Sequence, residues 1–317
     1  MPLKPDRLSY GDTIGVVAPA SAPVDAKNIE RGLAVLEALG FKPKPASNLR
    51  KRWGFLAGSD RDRADDLMRM FADRKVKAIL CLRGGYGTAR LLSMLDYSLI
   101  RSRPKIFIGY SDVTSLHCAF LEKAQMLSFH GPMLNSDFIK RQIPAFTLQS
   151  FLRTLMQPNP AGSIQQGYNR RTVEVLHRGV ASGPLIGGNL SILCASLGTP
   201  YQPSFRGKIL FFEDLQEVPY RFDRMLTQLL NAGLLQQLVG IAIGINKNCA
   251  DPKAKRAKEY RQSLRDVLNE RLLSLKIPIV SGLPFGHVPA NATFPIGAMA
   301  TLDAEGGDLI ITESAVK

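Results

Sequence analysis

The chain has 317 residues, 45% hydrophobic and 21% charged. These are ordinary globular values, which exclude a disordered chain, a fibre or a mini-protein in need of covalent staples. Lys and Arg number 41 against 27 Asp and Glu, a net charge of +14; such a surface attracts anions, whether nucleic acid, anionic lipid or a polycarboxylate substrate, without choosing among them.

The length predicts two domains, or one large α/β unit. Thr13-Ile-Gly-Val-Val-Ala18 is continuous, apolar and β-branched, and predicts a buried strand. A helix follows, with Ile29, Leu33, Leu36 and Leu39 on one face and Gly40 as its stop. Ser59 and Asp60 read as caps for a helix carrying Ala64, Leu67, Met68 and Phe71. Val76–Leu82 and Ile106–Gly109 are the next strands, and a helix runs from about Asp112 to Lys123. Strands separated by helices predict a parallel sheet with both faces covered.

Gln157–Arg171 is polar and rich in Pro, Gly and Asn, and reads as a linker. Beyond it, strands are expected at Thr172–Leu176, Lys208–Phe212 and Val239–Ile245, with short ones near Thr301 and Leu309. Helices are expected at Asn189–Ala195, Arg221–Leu230 and Glu259–Leu273. The fold class is therefore α/β: an N-terminal parallel-sheet α/β domain (1–157), a linker (158–171) and a C-terminal α/β domain with a mixed sheet (172–317).

No apolar run approaches the roughly 18–20 residues of a membrane helix. The polar start, Met1-Pro-Leu-Lys-Pro-Asp-Arg7, lacks the apolar core of a signal peptide, so a cytoplasmic protein is expected. Cys81, Cys118, Cys194 and Cys249 form no C-x-x-C pair. They read as small buried hydrophobes in a reducing compartment, not as a zinc or disulfide framework. Positive charge concentrates at Lys42–Arg52 and Lys253–Arg265, the second read as a solvated helical face. Aromatics are sparse there and no nucleic-acid-binding module is present, so nucleic acid is not an expected partner.

Ser111 falls at a tight strand-to-helix turn in Ile108-Gly-Tyr-Ser-Asp112. Such a turn projects a hydroxyl from the sheet beside free backbone N–H groups, which suits a nucleophile facing an oxyanion site. A helix cap is the plain alternative, and Val113 replaces the second glycine of the hydrolase elbow G-x-S-x-G. Arg83-Gly-Gly-Tyr-Gly87 follows a strand at the same sheet edge. It fits an oxyanion or carboxylate cradle as well as a dinucleotide loop.

A serine nucleophile needs a base. His117 is six residues past Ser111 on one helix, about 240° around the axis, and points away. His177 has no turn to expose it usefully. His130 could line the site or hold its wall. His287 lies in a loop, Pro284–Asn291, a good place for a catalytic group. For the carboxylate, an apolar strand delivers Glu213 and Asp214 at its end, as a surface cap or as site residues, with Glu217 close behind.

Together these segments resemble the LD-carboxypeptidase family of serine peptidases, which includes murein tetrapeptide carboxypeptidases and microcin C immunity peptidases. The resemblance runs nearly end to end: GDTIGVVAPAS (Gly11–Ser21), RGGYG (Arg83–Gly87), IGYSD (Ile108–Asp112), HGP (His130–Pro132), GGN (Gly187–Asn189), LFFED (Leu210–Asp214), YRFDRML (Tyr220–Leu226) and GH (Gly286, His287). It implies Ser111 as nucleophile, His287 as general base and acid, and Glu213 as the group orienting His287. The oxyanion hole would be the backbone N–H groups of Gly85 and Asp112. Substrate contacts would come from Arg83, Gly84 and Tyr86.

The resemblance also implies a homodimer, no metal or cofactor, no membrane, and release of terminal D-alanine from a murein peptide in peptidoglycan recycling. The alternative is an immunity-type amidase acting on peptidyl- or aminoacyl-adenylates. That activity favours an aromatic platform for the base, and the single tryptophan, Trp53, is far from the motifs in sequence. A non-catalytic anion- or nucleotide-binding module is a third reading.

Overall fold

The computed structural model describes residues 2–23, 25–139, 142–250 and 262–317. The chain alternates β1 (Thr13–Val17), α1 (Lys27–Ala38), β2 (Lys42–Pro45), α2 (Asp60–Ala72), β3 (Val76–Cys81), α3 (Tyr97–Ser102), β4 (Ile106–Gly109), α4 (Thr114–Ala119) and β5 (Ser128–His130). Helix α5 (Ala145–Met156) follows. The capping signals act as read: Ser59 closes a reciprocal capping box with Asp62 at the start of α2. Gly40 takes φ +87° just past α1.

The second half contains β6 (Gly162–Ser163), β7 (Glu174–His177), β8 (Val180–Asn189), α6 (Leu190–Ala195), β9 (Ile209–Glu213), α7 (Pro219–Asn231), β10 (Gly240–Gly244), α8 (Leu264–Leu272), β11 (Ile279–Leu283), β12 (Phe294–Ile296), β13 (Met299–Asp303) and β14 (Asp308–Ile311). The start of the helix read at Glu259–Leu273, and most of the basic run Lys253–Arg265, lie outside the described residues.

Two sheets result. The first has the order β2-β1-β3-β4-β5-β12, parallel throughout except for β12 at its edge. Alternate residues of its central strands feed two cores. Ile14, Val16, Leu80 and Ile108 pack with Ile29, Leu36 and Phe151 on one face. Val17, Ile79, Cys81 and Phe107 pack with Leu67, Phe71 and Phe120 on the other. The second sheet is mixed, in the order β6-β14-β13-β8-β9-β10-β11-β7, with β8 to β11 parallel. Leu210, Phe212, Ile241 and Ile243 face Leu193, Phe222, Leu226 and Leu268 of its helices. All four cysteines are buried and free.

Several elements escape sequence pattern. Strand β2 is Lys-Pro-Lys-Pro, an exposed edge strand with no apolar alternation to betray it. Strand β8 carries Gly183, Pro184, Gly187 and Gly188, which argue against a strand by composition, yet it pairs centrally with β9 and β13. A Cβ on Gly187 would sit 1.7 Å from the Phe211 carbonyl oxygen, so glycine is required by the closeness of β9. Strands β11 and β12 and helix α5 also lacked a clear signal.

The segment read as a linker is tied down. Strand β6 pairs with β14, and buried Gln165 donates to Gly307 O (2.7 Å) and Asp308 Oδ1 (3.0 Å). The two halves also share structure: β12, from the second half, closes the first sheet, and Ala315 and Val316 pack in its core. At the GGN turn, Asn189 N donates to Thr114 Oγ1 of α4 (2.9 Å).

Candidate active site

Strand β4 ends at Gly109, and the chain turns sharply through Tyr110 and Ser111 into α4. Ser111 holds φ +64°, in the left-handed region that is strained for a residue with a side chain. The missing second glycine of the elbow is immaterial here, because buried Val113 packs back over Gly109. His117, on the far side of α4, donates from Nε2 to Gly109 O (3.0 Å) and accepts from Ser128 Oγ (2.8 Å) at Nδ1. It is fully buried, which pushes its pKa down to about 4, so it braces β4 as a neutral ring.

The second half delivers the partners. Glu213 ends β9 and is completely buried. His287 follows β11 through a turn at Gly286. Its Nδ1–H donates to Glu213 Oε2 at 2.7 Å, and Nε2 accepts from Ser111 Oγ at 3.0 Å. Burial alone would depress the His287 pKa. The hydrogen bond and charge of Glu213, with Asp214 and Asp137 further off, outweigh burial and raise it. The edge of the buried Tyr110 ring packs on the imidazole, centroids 5.0 Å apart.

The other candidates separate cleanly. Asp214 points away from Glu213 and accepts from Asn189 Nδ2 (2.8 Å), Ser191 N (2.9 Å), Ser191 Oγ (2.7 Å) and its neighbour Leu215 N (2.8 Å). It therefore fixes the β8–α6 turn. Glu217 lines the cavity but pairs with Arg221 at 3.1 Å. His130 is buried and stacks on Phe294, its pKa pushed down to about 3 by burial. Its Nε2 donates to Asn291 Oδ1 (3.2 Å), which also accepts from Gly286 N (3.1 Å). His130 thus props the His287 loop from behind. His177 accepts no site role; its Nδ1 meets the Arg178 carbonyl.

The glycine-rich loop after β3 faces Ser111. Arg83, Gly84, Gly85, Ser111, Asp112 and His287 all line one cavity of about 300 Å³. The backbone of Gly85 and of Asp112 borders this cavity beside Ser111. Three elements clamp the loop. Ser21 Oγ accepts from Tyr86 N (3.1 Å), buried Arg63 donates to Gly87 O (2.9 Å) and to Pro19 O (2.5 Å), and Asp112 Oδ2 accepts from Thr88 N (2.9 Å). Arg83 itself has one long contact, Nη1 to Ala22 O at 3.3 Å. Tyr86 lies outside the cavity lining and half-exposed at its rim, against Phe55.

Sequence reasoning missed Tyr110, Asn189, Ser191 and Arg63. Tyr110, within IGYSD, and Asn189, within GGN, carried a motif signal; Ser191 and Arg63 are ordinary residues until the chain folds.

A hydroxyl, an imidazole and a buried carboxylate in hydrogen-bonded series, at a strand–helix turn facing a glycine-rich loop, define a serine hydrolase type of site on a two-domain α/β fold. Residues 14–131 match the LD-carboxypeptidase N-terminal domain and residues 182–302 the LD-carboxypeptidase C-terminal domain. A probable murein peptide carboxypeptidase of Bacillus subtilis (strain 168) is 40% identical over 99% of this chain and 97% of its own length. The chain belongs to the LD-carboxypeptidase family.

Two solved structures share the fold. The microcin C7 self-immunity protein MccF in complex with aspartyl sulfamoyl adenosine superposes with a TM-score of 0.89, at 26% identity and full coverage of both chains. A muramoyltetrapeptide carboxypeptidase from Oxalobacter formigenes gives 0.82 at 32% identity, over 95% of this chain and 99% of its own. Among the described residues, no helix is long and apolar enough to cross a membrane.

Proposed function

We propose that the protein is a serine carboxypeptidase that cleaves the amide before the terminal D-residue of a murein tetrapeptide, releasing D-alanine. The observation that carries this reading is the unbroken series Ser111 Oγ, His287 and Glu213, at 3.0 and 2.7 Å. His287 Nε2 takes the Ser111 proton as Oγ attacks the scissile carbonyl. The N–H groups of Gly85 and Asp112 receive the oxyanion. His287 then protonates the leaving amine. Water attacks the acyl-serine, His287 takes its proton, and the proton returns to Ser111 as the acyl group departs.

Arg83, the Lys or Arg side chain of the cavity lining, takes the terminal carboxylate, and the backbone at Gly84 lies along the substrate. A substrate bearing several carboxylates suits the +14 surface. The nucleophile comes from 1–157 and its partners from 172–317, so activity depends on how the halves dock. We further propose a cytoplasmic homodimer acting in peptidoglycan recycling.

The test incubates the wild type and Ser111→Ala with murein tetrapeptide and follows D-alanine. Release by the wild type alone is the expected result; release by both, or by neither, overturns the reading.

One observation favours the immunity-type alternative. Trp53, Phe55 and Tyr86 are all exposed, and the Phe55 and Tyr86 rings meet at 5.6 Å on the rim beside the glycine loop. The Phe55 and Tyr86 pair forms an aromatic surface that a nucleobase could stack on. Cleavage of an aminoacyl sulfamoyl adenylate, without D-alanine release from tetrapeptide, is the outcome that selects this reading.

A further inference from the structure

The site described above uses the carboxyl ends of β3 and β4. A second cavity, of about 340 Å³, opens at the opposite ends of the same strands. Four basic side chains line it, Arg74, Lys77, Arg103 and Lys105, against one acid, Asp6. Asp6 is exposed and shared, 3.4 Å from Lys77 Nζ and 3.9 Å from Lys317 Nζ. Asp73, just behind, is already engaged by Lys44 at 2.5 Å. The cavity therefore carries a clear positive excess.

Two of the four cations are held by the fold. Lys105 is only 6% exposed, and its Nζ donates to the carbonyls of Asp73 (2.5 Å) and Val76. Arg103 donates to the Ala72 carbonyl. These acceptors are neutral: they fix geometry and bring no counter-charge. A buried ammonium without a full counter-ion is unfavourable. Burial presses the Lys105 pKa down to about 8; the Asp73 charge acts upward, and repulsion from Arg103 and Lys77 adds to the depression.

We propose that this cavity binds a compact phosphate-class polyanion, best matched by a diphosphate. An anion here supplies the charge that the neutral carbonyls do not. Two arginines and two lysines line a space that suits a diphosphate, and two of these cations are ordered before it arrives. Among the described residues, no aromatic side chain lines the cavity, so the phosphoryl group, not a base, is what the protein reads. The inference is independent of the chemistry at Ser111.

The test is calorimetric titration of the full chain with inorganic pyrophosphate at low salt and pH 8. One saturable site per chain is expected. The Arg74→Gln/Lys77→Gln variant is expected to bind about tenfold more weakly or worse. A control losing the same charge from the exposed surface of α1, Lys27→Gln/Arg31→Gln, should bind as the wild type does. Lys105→Met should weaken binding; if it does not fold, the double variants still decide. ADP in parallel separates the sources: equal affinity assigns a free diphosphate, tighter binding the diphosphate of a nucleotide. Absence of saturable heat at millimolar pyrophosphate, or equal weakening in both double variants, overturns the proposal.

Discussion

His287 Nδ1 and Glu213 Oε2 lie 2.7 Å apart across 74 residues of chain, and this bond selects the tautomer that leaves Nε2 free to accept from Ser111. Glu213→Gln keeps the shape and loses the charge, so kcat should fall by roughly 10³–10⁴-fold. The acid limb of kcat/KM reports His287 losing its proton. With Glu213 present it should lie above the ordinary 6.5, since the shift is upward. In Glu213→Gln burial dominates and the limb should move to lower pH. A pH–rate profile with the limb unmoved would count against the pairing.

Ser111 is held at φ +64°. Both Ser111→Ala and Ser111→Gly remove the nucleophile and should cost roughly 10⁴-fold or more in turnover. Their stabilities should differ: glycine adopts this conformation freely, so Ser111→Gly should be about 1 kcal/mol more stable than Ser111→Ala by urea unfolding. Equal stabilities would mean that the elbow stores no strain.

Arg63 is buried and ties the glycine loop to the β1 end through Gly87 O and Pro19 O. Arg63→Met leaves those carbonyls unpaired and should destabilise the fold by about 3 kcal/mol. Because Gly85 is two residues from the clamp, kcat should drop about tenfold or more with KM little changed. A variant with full kcat would show that the loop keeps its aim without Arg63.

His117 and His130 are neutral in the folded protein, with pKa values near 4 and 3 against 6.5 in an unfolded chain. Their contribution is complete above pH 6.5 and is lost as pH falls, because the unfolded state takes protons that the fold refuses. Each should add a slope of about 1.4 kcal/mol per pH unit between 6.5 and its folded pKa. Tm measured from pH 7 to 4 should fall, and His117→Asn should flatten the curve. A Tm independent of pH in that window would contradict the buried neutral state.

Local sequence determined the central strands of the parallel half and much of the mixed one. Continuous apolar runs such as Val76–Cys81 and Ile209–Glu213, the Ser59 capping box and the turn after Gly109 act within a few residues and need no distant partner. The ordered motifs also named Ser111, Glu213 and His287 as candidates. The motif singled out Glu213, but only tertiary structure gives the reason that it, not Asp214 or Glu217, meets the histidine: a strand end faces its two carboxylates in different directions. It also decided that β8 is a strand despite its glycines, since the reason is the carbonyl of a neighbour rather than anything in its own propensity. The same holds for the cation-lined cavity, where two separate stretches of chain, Arg74–Lys77 and Arg103–Lys105, gather their like charges around one space.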